Sequence, residues 1–176
     1  TMEFTGGSTA PTFTGKVAVN QLASETSILF PPVTSLSANL AGSDANRTLK
    51  LISGTAGSPG SELATIDLKT VNTLPALRDR INQIAGFEAT IITGGTTSSP
   101  SYYIGVKGKA GESNRFFASV TTNVNGTDSN ASGAGLVAGG AEVIRQGTNA
   151  VISVDGVQIT SGTNIFNDVL PNITIT

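Results

Sequence analysis

Asp155-Gly156 constrains this chain more than any other pair of residues. It lies between two alternating runs, Ala150-Val-Ile-Ser-Val154 and Val157-Gln-Ile-Thr160. A two-residue loop of this composition specifies a type I′ turn, whose two central residues must accept positive φ. The turn fixes the register. Val154 pairs with Val157 and Ile152 with Ile159, which sets those four on one face and turns Ser153 and Gln158 to the other. After Ser161-Gly162, Thr163–Leu170 and Ile173–Ile175 read as further strands around a turn at Pro171-Asn172. A meander with one apolar face is not stable alone in water, so the rest of the chain must supply a partner sheet.

The composition agrees with that demand. Thr, Ser and Asn make up roughly a third of the chain, and with 21 Gly they describe a β-rich, turn-rich protein. Hydrophobic residues, 38% of the 176, suffice for a core. Charged residues are 12%, the net charge is −2, and Lys and Arg are scattered singly, which argues against a nucleic-acid partner. There is no cysteine, hence no disulfide framework or thiolate metal site, and this suits export of an unfolded chain. No apolar run approaches the ~18 residues of a membrane span. Thr1–Phe4 has neither the basic region nor the apolar core of a signal peptide, and the chain reads as a piece of a longer protein.

Along the chain, residues 5–15 read as a lead-in. Lys16–Ala23 begins with strand alternation, with Val17 and Val19 on one face, and Ile28-Leu29-Phe30 is stopped by Pro31-Pro32. Arg47–Ile52 is a clear strand, Gly54–Gly60 a turn cluster, and Glu62–Leu68 a weaker strand carrying Leu63, Ile66 and Leu68. Thr73–Ala85 is the one expected helix. Thr73 caps it, Pro75 is tolerated in the first turn, and Leu74, Leu77, Ile81 and Ile84 share a face, with Gly86 as a left-handed C-cap. Phe87–Thr93, Tyr102–Lys107 and Arg115–Val120 return to strand, with a long polar turn over Gly94–Pro100. Residues 121–142 read as a loop or linker, with only Val124, Leu136 and Val137 to bury. The expected total is about nine to eleven strands and one helix.

The motifs that could carry chemistry fail on context. Gly133-Ala-Gly135-Leu-Val-Ala-Gly139 has the outline of a dinucleotide loop, but Asn125–Ser132 before it cannot be a buried strand, and Asp155 downstream occupies a hairpin turn. Gly108-Lys109-Ala110 echoes a phosphate loop, yet Tyr103 stands where its first glycine belongs and Ala110 lacks the magnesium-binding hydroxyl. With no histidine, a Ser-His-Asp or Cys-His nucleophile is excluded. The twelve acidic residues are dispersed without calcium-loop spacing. Asn46, Asn125, Asn130 and Asn172 match the glycosylation pattern, as chance allows in so Asn- and Thr-rich a chain. The residues therefore indicate no catalytic, cofactor-binding or metal-binding set. They indicate a structural or interaction protein, mainly β (β-rich α+β), with one short helix around 73–85.

Three stretches in order carry a resemblance. Lys16-Val17-Ala18-Val19-Asn20-Gln21-Leu22-Ala23 is one. Thr73-Leu74 through Arg78-Asp79 to Ile81-Asn82, followed by Gly86-Phe87-Glu88-Ala89-Thr90-Ile91-Ile92, is the second. The third is Asn149–Thr160 with Thr163-Asn164, Val169-Leu170 and Ile173-Thr174-Ile175. Together they resemble the bacterial flagellar filament cap family (hook-associated protein 2, FliD), restricted to its outer β domains. Asn172 replaces the glycine usual before the closing Ile-Thr, and Asn is the next best residue for positive φ.

The resemblance implies two β-sheet domains, one inserted into the other. A discontinuous domain would comprise 1–44 and 145–176, and 45–144 would be a β-rich inserted domain with one helix. It implies a secreted, extracellular structural protein at the flagellum tip that oligomerises with itself and promotes flagellin assembly. It also implies contact with host glycan or mucin, and neither enzyme activity, cofactor, nucleic acid nor membrane. The alternative from another class is a carbohydrate-binding adhesin or phage tail-type β module.

Overall fold

The computed structural model describes every residue except 1–3, 7–14, 44–45, 125–126, 131–135, 137–140 and 171–172. Its strands are β1 (Phe4–Gly6), β2 (Val17–Gln21), β3 (Glu25–Leu29), β4 (Arg47–Thr55), β5 (Ser58–Asp67), β6 (Glu88–Thr96), β7 (Ser99–Ala110), β8 (Phe116–Val124), β9 (Thr127–Asn130), β10 (Glu142–Arg145), β11 (Ala150–Val154), β12 (Val157–Ser161), β13 (Phe166–Leu170) and β14 (Ile173–Ile175). One helix, α1 (Leu74–Asn82), precedes β6. The chain is mainly β, as the composition requires.

The hairpin has its expected register, Val154↔Val157 and Ile152↔Ile159. Asp155 (φ 49) and Gly156 (φ 88) both adopt positive φ, as a type I′ turn demands. β2 lies antiparallel on the far side of β11, and β1, β14 and β13 form a second three-stranded sheet. Ala150, Ile152, Val154, Phe166 and Ile175 are buried together, with Val17, Ala23, Ile159 and Val169 packed around them. Val157, expected on the buried face, is 64% exposed because β12 is an edge strand and Val157 lies at its turn end.

A larger cluster lies between two four-stranded sheets, β10-β3-β7-β6 and β5-β4-β8-β9. Alternate residues of β4 (Leu49, Leu51) and of β7 (Ile104, Val106) are fully buried, the period-2 pattern of a sheet with one face on a core. The helix contributes Leu74, Leu77 and Ile81, each worth about 1.5–3 kcal/mol of burial. Thr73 accepts a hydrogen bond from the Ala76 N–H at 3.4 Å, and Pro75 lies in the first turn. The helix stops at Asn82, short of the expected Ala85. Ile84 still packs on the core, and Gly86 takes φ 88 in the connection that follows.

Several boundaries differ from expectation. The two apolar clusters part near Ser24 and Gly147. Ile28, Phe30 and Leu40 belong to the larger cluster, because β3 pairs with β7 and β10. Residues 121–142 are not one loop. β8 runs to Val124 and pairs with β9, while Leu136 is buried and its N–H donates to the Leu40 carbonyl at 2.8 Å. The polar stretches 54–60 and 94–100 are largely strand, with turns only at Ala56-Gly57 and Thr97-Ser98. Leu63 is 45% exposed on the edge strand β5.

Candidate interaction surface

The chain passes between the two clusters twice, outward near Ser24 and back near Thr148. Ser24 and Thr148 exchange backbone hydrogen bonds (3.0 and 3.1 Å), and their hydroxyls lie 2.9 Å apart. The stem is extended on both sides. The Lys16 N–H donates to the Asp155 carboxylate at 2.8 Å, and the Asp155 N–H donates to the Lys16 carbonyl at 2.9 Å. The Ala23 N–H donates to Asn164 Oδ1 at 2.7 Å, and the Glu112 N–H donates to Asn149 Oδ1 at 2.8 Å. Arg115 Nε donates to the Gly147 carbonyl at 2.8 Å, and the Gly147 N–H donates to the hydroxyl of fully buried Thr26 at 2.9 Å. Backbones approach closely here: a Cβ on Gly147 would stand 2.8 Å from the Gly111 carbonyl oxygen, so only glycine fits. The polar residues of 16–26 and 146–164 therefore join two bodies of packing.

The two small sheets leave a cleft of about 440 Å³ between them, lined by Val19, Leu22, Ile152, Phe166 and Ile175, with Gln21, Asn164 and Thr176 as its polar members. Val19 is 49% and Leu22 63% exposed. Alternation of Val17 and Val19 indicated a strand, but Leu22 lies beyond its end, and no periodic signal marks it as surface.

Charges pair locally. Arg145 bonds Glu25, Arg115 bonds Glu112 at 3.0 Å, Lys50 meets Glu62 at 3.5 Å and Arg78 meets Asp79 at 2.6 Å. Glu25 is held below the usual carboxylate range, first by a hydrogen bond from its own backbone N–H and then by Arg145 and Lys107, against an opposing push from desolvation. Among the described residues no three His, Cys, Asp or Glu side chains come together as a metal site.

The motifs weighed in the sequence take structural places. Gly108-Lys109-Ala110 is the end of β7 rather than a loop, and Gly108 lies under the Phe116 ring. Asp155 forms its turn and ties down Lys16. Gly133, Gly135 and Gly139, like Asn125 and Asn172, lie outside the described residues, Asn46 stands in the turn before β4, and Asn130 is in β9.

No protein-family model matches the chain, and no curated protein sequence does. Solved structures do match. The D2-D3 domains of the flagellar cap protein FliD from Escherichia coli superpose with a TM-score of 0.73 at 23% identity, over 99% of this chain and 87% of that one. The corresponding D2-D3 domains from Serratia marcescens give 0.70 at 25% identity, over 99% and 90%. Against the Escherichia coli D1-D2-D3 structure the TM-score is 0.74 at 25% identity, and this chain spans 48% of that one. These matches, running almost end to end, give the chain the fold of the D2-D3 domains of the flagellar cap protein FliD.

Proposed function

We propose that this chain forms the outer part of a flagellar filament cap, at the distal tip outside the cell, where a homo-oligomer assists the assembly of exported flagellin. The near-complete likeness to FliD D2-D3 domains carries the reading. The role it describes is mechanical: subunits are held and guided by surfaces, and no bond is made. The organisation supports this, since a chain that leaves one cluster and returns to it through a hydrogen-bonded stem can bear two bodies on one support. We read those bodies as two domains. The smaller would be built from 4–6 and 16–24 with 148–175, and the larger from 25–147 inserted into it. Neutral, Ser- and Thr-rich outer strands suit repeated weak contacts, with flagellin as the first partner and a mucin glycan as a second.

Immunogold labelling with antibodies to this chain tests the reading. Label confined to filament tips, with flagellin shed as monomer into the medium when the gene is deleted, is the expected result. Label along the filament shaft, or filaments of normal length without the gene, would refute it.

A further inference from the structure

The outer edge of β6 is open, and the rest of the molecule shows which groups face it. In β7, the Ile104 carbonyl accepts from the Phe30 N–H at 3.0 Å, and Tyr102 exchanges backbone bonds with Val33 at 2.8 and 2.9 Å. Ile104 and Tyr102 therefore turn away from β6. Their partners across the pair, Ile91 and Thr93, must turn their own N–H and C=O outward, because such groups alternate along an antiparallel pair. Ala89 belongs to the same set, and its two outward groups are both taken by the Asn82 carboxamide, at 2.7 and 3.2 Å. That side chain acts as a one-residue neighbouring strand. At Ile91 and Thr93, the next two positions, no described group does the same.

Natural sheet edges are blunted by charge, proline, bulges or brevity. Edge strand β5 carries Pro59, Glu62 and Asp67 and two shifts of register, and β10 has four residues, two of them charged, with a bulge. β12 is uncharged but only five residues long. β6 has nine residues in unbroken register, and after Glu88 none is charged.

We propose that β6 pairs antiparallel with β6 of a second copy of this chain, closing the two sheets into one across a two-fold axis at Ile92. The register follows from the open groups. Ile91 faces Thr93 of the second copy and Thr93 faces Ile91, so each pair exchanges two backbone bonds. Ile92, 49% exposed, then meets its own counterpart in the close, non-hydrogen-bonded position. The strand is self-complementary in charge as well, since Glu88 falls opposite Thr96 and not opposite another acid. The Asn82 carboxamides bound the contact at both ends. Such a contact is isologous. It stands on the geometry of β6 and is independent of the cap assignment.

The chain contains no cysteine, so single substitutions report position cleanly. In the paired geometry the two Ile92 Cα atoms lie about 4.5 Å apart, within reach of a disulfide, whereas the two Thr90 Cα atoms are offset by about 13 Å. Under mild oxidation Ile92→Cys should cross-link to dimer, Thr90→Cys and Leu63→Cys should not, and Thr90→Cys combined with Gly94→Cys should. Sedimentation should show a concentration-dependent dimer of the unsubstituted chain. Ile92→Lys should weaken it roughly tenfold or more by setting like charges opposite each other, and Thr93→Pro should abolish it by removing an outward N–H that the folded monomer does not use. Circular dichroism checks that both variants keep the fold. A monomer at every concentration, or cross-linking at Thr90 and Leu63 as readily as at Ile92, would overturn the proposal.

Discussion

Phe166→Ala measures how far the two apolar clusters stand apart. Phe166 is 5% exposed and is the largest of the buried side chains it shares with Ala150, Ile152, Val154 and Ile175. Burying a phenylalanine removes about 200 Å² from water, worth about 5 kcal/mol at ~25 cal/mol per Å². Truncation to alanine forfeits most of that and leaves a cavity, so the expected cost is about 3–5 kcal/mol. Whole domains are stable by only ~5–15 kcal/mol, and a cluster this small holds a fraction of that. The variant should therefore open its own sheets and spare the others. Native-state hydrogen exchange reads the outcome strand by strand. Amides of β11 and β12 should lose nearly all protection, while those of Leu49, Leu51 and Val120 in the larger cluster keep theirs. Leu77→Ala should do the reverse. If Phe166→Ala strips protection equally from β4 and β8, the clusters unfold as one unit and the two-domain reading fails.

Three further substitutions, one with a matched control, test particular contacts. A Cβ on Gly108 would lie 2.8 Å from the Phe116 ring, so Gly108→Ala should cost about 1–3 kcal/mol in denaturant unfolding, whereas Gly57→Ala, with nothing within 4 Å, should be near neutral. Asn82→Leu leaves both outward groups of Ala89 without their partner and should cost about 1–3 kcal/mol; a value near zero would show that water replaces the carboxamide freely. Glu25 is depressed in the folded state, so its contribution is present above the ordinary carboxylate pKa and is lost as pH falls through its lowered value. Glu25→Gln should accordingly lower stability slightly at neutral pH and flatten the acid side of the stability–pH profile, so that the two proteins converge at low pH, and an unaltered acid limb would count against a lowered Glu25 carboxyl.

The features legible in advance were those set by neighbours a few residues apart. Asp155-Gly156 dictated its turn type, and through it every pairing of β11 with β12. Thr73, Pro75 and the spacing of Leu74, Leu77 and Ile81 located the helix and its buried face. Errors arose where long-range contacts override local chemistry. Gly and Ser runs at 54–60 and 94–100 look like turns, yet ladder bonds to a neighbouring strand carry them through as β structure. Residues 121–142 looked unstructured because Thr127–Asn130 has no apolar alternation, and an edge pairing supplies what a core does not. The junction was hidden for the same reason. Ser24, Asn149 and Asn164 gain meaning only when partners over 35 residues away arrive beside them.

By itself, then, the amino-acid order determined the β class, the hairpin with its register, and the helix. Each of these follows from backbone preferences and side-chain types that act locally. Only the tertiary structure decided which core receives Ile28, Phe30 and Leu40, where the two clusters part, and that β6 is left with an open edge. An apolar strand is equally satisfied by either of two hydrophobic interiors, and the choice between them is made by which strands pair across the chain.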